Sequence, residues 1–415
     1  MSKKKILLIS HNFSPEPTGI GKYNGEMMDW LAANGNDCDV ITTFPYYPFW
    51  KVQAPYKNRW YKKEVINYPA SNAKLTLYRC PSYVPADPTG KKRIIQDFSY
   101  WTSMLWEVLR LAVNGKKYDL IITVAPPFHL AYLGLMFKKR FGSKLLYHIQ
   151  DLQIEAAQDL NMLSSQKLFE KIYKIEKNIL DKADYISSIS EGMINKIKAK
   201  TDKEVFLFPN WVDTSLFFPL PSRHLLKTKW GFQITDTVCL YSGAIGEKQG
   251  LESILNAAEL LVDIPGIKFV IGGSGPYKEK LIQLAASKKL SNVQFLPVQD
   301  KGVFNEFLNM ADLHLILQKA TASDLVMPSK LTTILAVGGV SVVTSPQNTS
   351  LFDLINKYDV GFAIEPENDE LLADTISNAA NNVNIQKKAE NARLYALKYL
   401  NIDNVMLEFV NNTLN

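Results

Sequence analysis

The sequence predicts an α/β fold of two doubly wound domains, and three observations carry that expectation. Short β-branched runs alternate with amphipathic segments along the chain, the pattern of parallel sheets covered by helices on both faces. At 415 residues the chain exceeds the size at which one hydrophobic core keeps growing, so two domains of roughly 200 residues are expected. The alternation resets once, at Phe208-Pro209-Asn210-Trp211-Val212-Asp213 followed by Pro219 and Pro221, which reads as a hinge. The domains are then residues 1–209 and 210–385, with a helical segment at 386–415 able to cross back to the first. Two such domains are expected to face each other across a cleft, with ligands beyond the carboxyl ends of the strands.

The expected strands of the first domain are Lys5–Ile9, Val40–Thr43, Leu75–Tyr78, Leu120–Val124, Leu145–Ile149, Tyr185–Ser188 and Val205–Phe208. Those of the second are Val238–Ser242, Lys268–Gly272, Val293–Leu296, Leu313–Leu317, Val340–Thr344 and Gly361–Ile364. Phe98–Leu111 is the most apolar helical stretch, interrupted by Glu107 and Arg110 and too short to span a bilayer, which takes about 20 apolar residues. It reads either as a buried core helix or as one lying in a headgroup layer, and Lys91-Lys92-Arg93 before it favours the surface. Asp37-Cys38-Asp39 spells a DxD motif but leads into a strand after Asn34-Gly35, so it reads as a solvated turn rather than a metal site.

Composition narrows the class. Hydrophobic content of 47% with 21% charged residues belongs to a folded chain rather than a disordered one. Three separated cysteines, Cys38, Cys80 and Cys239, without CxxC argue against a disulfide framework or zinc site and fit a reducing compartment. The apolar run after Lys3-Lys4-Lys5 is only four residues long, a first buried strand and not a signal peptide.

Charge is uneven. Residues 1–210 hold 30 Lys/Arg against 20 Asp/Glu and residues 211–415 hold 17 against 21, so the first half is expected to prefer an anionic partner. The excess gathers between Phe44 and Lys63, where eight aromatics accompany Lys51, Lys57, Arg59, Lys62 and Lys63 without an acid. Such a loop suits stacked bases, a headgroup layer that takes Trp50 and Trp60, or packing of its own rings.

Four glycine-rich or anion-suited loops follow expected strands. Ser14-Pro15-Glu16-Pro17-Thr18-Gly19-Ile20-Gly21-Lys22 opens a helix after the first strand, and its spacing is not the dinucleotide fingerprint. Ser242-Gly243-Ala244-Ile245-Gly246-Glu247-Lys248 turns out of the second domain's first strand with a lysine able to meet a phosphate. Gly272-Gly273-Ser274-Gly275-Pro276 closes the next strand. Met327-Pro328-Ser329-Lys330 enters a helix in which Pro328 suits the first position. There the helix dipole, the amides of Ser329 and Lys330 and the Lys330 ammonium would converge on an anion.

Together with His148-Ile149-Gln150-Asp151, Phe208-Pro209-Asn210-Trp211 and Pro328–Gly339, these segments resemble the retaining family-four GT-B glycosyltransferases. The resemblance is closest to the WcaI-type transferases of colanic acid and related exopolysaccharide pathways, and it spans nearly the whole chain. It implies two Rossmann-like domains and transfer of a sugar from a GDP- or UDP-linked diphosphate donor, with retention and without metal or other cofactor. It suggests fucose as the sugar. The implied acceptor is a lipid-linked saccharide, met by a peripheral enzyme on the anionic cytoplasmic face of the inner membrane; nucleic acid is not an implied partner.

Carried over by residue, the resemblance gives Lys248 to the donor diphosphate, while Ala244 stands where the family has an arginine and Lys330 is the candidate replacement. The family's Glu-x7-Glu motif also departs. Its second Glu falls on Thr333, and eight residues earlier stand Leu325 and the adjacent Asp324, the candidate for the sugar hydroxyls. Gly19, Gly21, Gly243, Gly246, Glu247, Gly273, Ser274 and Ser329 complete the implied donor site. His129 matches a family histidine near the reacting sugar, although a lone His after a strand also serves structure. Asp151 and Glu155, four apart, are candidate acceptor ligands, being poorly placed to flank a scissile bond as a hydrolase pair would. In the implied front-face chemistry the departing phosphate oxygen takes the acceptor's proton, and Lys248, Lys330 and helix amides stabilise the leaving group. A GT-B-shaped sugar-nucleotide epimerase and a non-catalytic assembly subunit are the alternatives.

Overall fold

A computed structural model of the chain describes residues 3–16, 19–155, 166–319, 327–381 and 385–414. The chain divides into two compact units, Met1–Pro209 with Met406–Asn415, and Asn210–Val405.

In the first unit the strands are β1 Lys5–Ile9, β2 Asp37–Thr43, β3 Lys62–Tyr68, β4 Ala73–Cys80, β5 Leu120–Ala125, β6 Lys144–Ile149, β7 Tyr185–Ser188 and β8 Phe206–Leu207. They form one sheet in the order β3-β4-β2-β1-β5-β6-β7-β8. Neighbours are parallel except β3, which runs antiparallel to β4. The unbroken apolar run of β1 follows from its place: Ile6 to Ile9 are buried on both faces of the sheet. Three helices are α1 Gly19–Ala33, α2 Gly90–Val113 and α3 Ala131–Phe141. Tyr100, Met104, Val108 and Leu111 of α2, at helical spacing, pack with Leu7, Ile9 and Ile41 of the sheet and Leu133 and Phe137 of α3.

In the second unit the strands are β9 Thr237–Ala244, β10 Ile267–Ser274, β11 Val293–Leu296, β12 Leu313–Ile316, β13 Val340–Thr344 and β14 Gly361–Ile364. All neighbours are parallel in the order β11-β10-β9-β12-β13-β14. The winding reverses between β9 and β12, the switch point beyond which doubly wound sheets bind ligands. Helices α4 Glu252–Leu260 and α5 Lys330–Ala336 begin at that edge.

Four local expectations are corrected. β3 is absent from the expected strands because Lys-Lys-Glu-Val-Ile-Asn-Tyr lies almost wholly exposed at the sheet edge, where no buried face imposes an apolar pattern and charged residues guard the open edge; Lys62 and Lys63 belong to it, not to a loop. Helix α2 extends beyond Phe98–Leu111 at both ends. Asp37-Cys38-Asp39 is no turn but the start of β2, paired with Lys5, Ile6 and Leu7. Asp39 takes hydrogen bonds from Tyr118 and Lys116, and Asp37 pairs with Lys3. Pro328 lies two residues ahead of α5, whose cap position is Ser329.

Candidate active site

The carboxyl edge of the second unit's sheet is organised around Lys330. Its Nζ sits 3.6 Å above the centroid of the Tyr241 ring and 3.1 Å from the point a Cβ on Gly243 would occupy. The ammonium therefore reaches from the start of α5 to the end of β9, beside Ala244. The Tyr241 hydroxyl donates to the Ala244 carbonyl at 2.7 Å, which presents the ring face to the lysine. Among the described residues no carboxylate pairs with Lys330, and burial lowers its pKa to about 7. A cation held in this way is an anion site awaiting its counter-charge.

Gly243 eases this approach, since a Cβ there would make the lysine tip shift by a few tenths of an ångström. Gly273 has a different reason: in register with Gly243, its added Cβ would stand 1.9 Å from the Gly243 carbonyl oxygen. That glycine serves the contact of two strand ends, with Ser274 exposed beside it. Gly246 caps the short turn Glu247–Gln249, on which Glu247 is exposed. The backbone of Lys248 lies on the same turn, and its side chain lies outside what the structure describes. Asp324 and Leu325 also lie outside the described residues. Thr333 gives its hydroxyl to the Lys330 carbonyl at 2.9 Å, so it caps its own helix turn. Ser329 is exposed at the entrance of α5.

Sequence reading missed a small cleft beside this edge, lined by Gln249, Glu252, Ser253, Gln318, Lys319, Thr344 and others. Its signal is positional: these residues follow β9 and β12 or, for Thr344, end β13.

In the first unit the loop after β1 folds back onto α1. The Glu16 carboxylate accepts from the Tyr46 and Tyr47 amides, each at 3.0 Å, and from Asn12 at 2.8 Å; burial raises its pKa. A Cβ on Gly21 would meet Glu16 at 2.8 Å, so Gly21 lets the loop pack on the helix. Gly19 has open space around it and a left-handed φ of 57°, and it remains available for close approach of a ligand. His129 stands on the turn Phe128–Leu130 after β5; burial lowers its pKa to about 4, so its imidazole is neutral at physiological pH. Asp151 stands just past β6, and burial raises its carboxyl pKa to about 7.

Glu155 is held through Oε1 by the buried Lys200, which also binds Glu176 at 2.5 Å, while its Oε2 has no partner among the described residues. Asp151 and Glu155 both stay candidates for the acceptor.

The aromatic–basic segment lies against α2. Arg93 stacks over Trp50 at 5.2 Å, and Tyr61 and Ser103 are joined by their hydroxyls at 3.1 Å. Lys51, Lys57, Arg59, Trp60, Lys62 and Lys63 are exposed. Helix α2 turns Ile94 (70% exposed), Phe98 (70%) and Trp106 (60%) outward. No helix among the described residues is long and apolar enough to cross a membrane.

Two doubly wound units with mainly parallel sheets define the GT-B fold. Solved structures share the fold: sucrose-phosphate synthase from Thermosynechococcus elongatus has a TM-score of 0.76 at 16% identity over 99% of this chain and 98% of that one. HepE from Anabaena, solved with UDP and glucose, has a TM-score of 0.68 at 13% identity over 99% of both chains. WaaG, a glycosyltransferase involved in lipopolysaccharide biosynthesis, has a TM-score of 0.67 at 16% identity over 98% of this chain and 99% of that one. Residues 18–211 match the family described as glycosyl transferase 4-like domain, and residues 222–398 match glycosyl transferases group 1. The chain is 37% identical, over 98% of its length and 99% of the other's, to a protein of Escherichia coli (strain K12) named for colanic acid biosynthesis, the glycosyl transferase WcaI. The chain belongs to the WcaI-type glycosyltransferases.

Proposed function

We propose that the protein moves a sugar, with retention and without a metal, from a nucleotide diphosphate donor to a lipid-linked saccharide during assembly of a colanic-acid-like exopolysaccharide or capsule. The observation that carries the reading is the Lys330 ammonium at the end of β9, unpaired among the described residues. As the bond between sugar and diphosphate ionises, negative charge grows on the departing phosphate oxygen. Lys330, with Lys248 on the neighbouring turn, stabilises that oxygen more than the bound donor. The same oxygen accepts the proton of the acceptor hydroxyl, which bonds to the sugar on the face the diphosphate leaves. Atoms balance without a protein base.

The donor is proposed to be UDP- or GDP-linked, with fucose as the sugar to test beside glucose. HepE was solved with UDP-glucose. The exposed apolar side of α2 and the five basic residues of the adjoining segment support a peripheral place on an anionic cytoplasmic membrane face, where such an acceptor is presented.

The direct test is turnover of Lys330→Ala, with donor hydrolysis and transfer measured on UDP-glucose and GDP-fucose. Losing one preorganised contact to the leaving group should lower kcat by about 10²–10³, with the fold intact by circular dichroism. Turnover near that of the wild type rejects Lys330 as the leaving-group cation.

A further inference from the structure

We propose that Asp97 and Tyr100 are a positioning pair that holds His129 in the tautomer protonated on Nε2, and so leaves its Nδ1 to accept from a substrate hydroxyl. This rests on the glycosyl-transfer reading above and adds two residues of α2 that no sequence pattern singled out.

Asp97 and Tyr100 are three apart on α2, close to one helical turn. The Tyr100 ring is completely buried and lies between two imidazoles, stacked on His11 at 4.1 Å with 24° between planes and on His129 at 5.9 Å with 15°. Its hydroxyl oxygen is 3.0 Å from Asp97 Oδ1 and 3.4 Å from His129 Nε2. The hydroxyl has one hydrogen; burial raises the Asp97 carboxyl pKa while the Tyr100 hydroxyl and Arg93 oppose that rise, and in its ionised form the carboxylate only accepts. The hydrogen is therefore given to Asp97, and the tyrosine oxygen must accept from His129. Nε2 carries the imidazole proton.

A neutral imidazole then has one lone pair left, on Nδ1, and among the described residues no protein group donates to it. His129 follows β5 at the carboxyl edge of the sheet. A lone pair fixed there by a buried two-residue chain is suited to accept from an alcohol. The wrong tautomer would set N–H against the substrate O–H and leave the tyrosine oxygen without its donor. The same logic by which a second group orients a ligating imidazole here fixes which nitrogen of His129 can accept from a substrate.

The test reads the imidazole nitrogens of His129 by long-range ¹H–¹⁵N correlation in the full chain, with the resonance assigned by its loss in His129→Gln. Wild type is expected to give a single Nε2–H tautomer, and Tyr100→Phe and Asp97→Asn a mixture; an Nδ1–H wild type, or variants that leave the signal unmoved, overturns the proposal. Turnover is measured beside it on whichever of UDP-glucose and GDP-fucose the wild type hydrolyses. Both variants should lose about ten- to a hundredfold in kcat, the scale of a misoriented group, with donor KM changed less than threefold. Asp97→Asn keeps the buried ring in place, so it decides the matter if Tyr100→Phe fails to fold. Wild-type kcat in both variants while Lys330→Ala is impaired overturns the positioning role and leaves the site reading standing. Unimpaired turnover in Lys330→Ala overturns the reading on which the pair depends.

Discussion

A lysine ammonium packed against a tyrosine ring, without a carboxylate among the described residues, is a cation waiting for an anion. Burial lowers the pKa of Lys330 from 10.5 to about 7, so between those values the unfolded chain holds a proton that the free folded protein does not. Stability from this group accordingly rises with pH across that window, and the penalty is complete below about 7. A bound diphosphate supplies the missing negative charge and raises the pKa, so binding above pH 7 takes up a proton. Donor affinity should therefore be highest below pH 7 and fall as pH increases. Calorimetry of UDP-glucose and GDP-fucose binding at pH 8, in buffers of different ionisation enthalpy, measures the uptake; zero uptake for a donor that binds means Lys330 does not meet its diphosphate. A second residue, Lys200, is tied to Glu155 and Glu176 in a buried triad. Lys200→Met leaves the buried Glu176 and the half-buried Glu155 without their cation, and the expected loss is about 3–5 kcal/mol at pH 7. Chemical denaturation should show that deficit narrowing as pH falls, because protonating the orphaned carboxylates removes their charge; an unchanged midpoint would mean that the triad contributes no stability. Lys330 is legible in the sequence because proline and serine lead into a helix that opens on the lysine. The triad is not: Lys200 and Glu176 stand 24 apart, and only the fold joins them.

Helix α2 has two faces with different rules. Tyr100, Met104, Val108 and Leu111 recur at helical spacing and are buried, whereas Ile94, Phe98 and Trp106 recur at the same spacing and are exposed. A sequence carrying apolar residues on both sides cannot declare which side meets the core, so both core and interfacial readings of the segment contain part of the answer. Strand β3 shows the reverse difficulty, since an edge strand with no buried side carries no apolar alternation to read. The parallel strands were readable where both faces are covered, as in β1 and β13. If the outer face of α2 enters a headgroup layer, Ile94→Ser, Phe98→Ser and Trp106→Ser together should weaken sedimentation with vesicles containing anionic phospholipid. Donor hydrolysis by soluble assay should stay near wild type, because those residues lie outside the Lys330 edge. Undiminished sedimentation assigns the exposed stripe no part in membrane contact.

Across the chain as a whole the charge is split, with 30 basic against 20 acidic residues in 1–210 and 17 against 21 in 211–415. Neither half's fold requires this imbalance, because net charge governs partners and solubility rather than topology. The division is readable by counting, but the surface that uses it is not: Lys51, Lys57, Arg59, Lys62 and Lys63 acquire a common setting only because β3 pairs with β4 and the preceding loop lies on α2. Exposed cations on one unit attract an anionic bilayer over a range set by the Debye length, about 10 Å at 0.1 M salt. Attraction by such residues should therefore weaken with salt, whereas the apolar contribution of α2 should not. Replacing all five with Gln is expected to weaken binding to anionic vesicles strongly at physiological salt and to raise KM for a lipid-linked acceptor. Hydrolysis of the donor should remain nearly unchanged, since Lys330 retains its charge and position. Flotation measured from low to high salt distinguishes the two contributions: wild type should release progressively, and the five-fold variant should show only the weak salt-insensitive remainder. If the variant still binds vesicles with the wild-type salt dependence, the membrane charge is read elsewhere in the chain, and this segment serves only to pack its rings against α2.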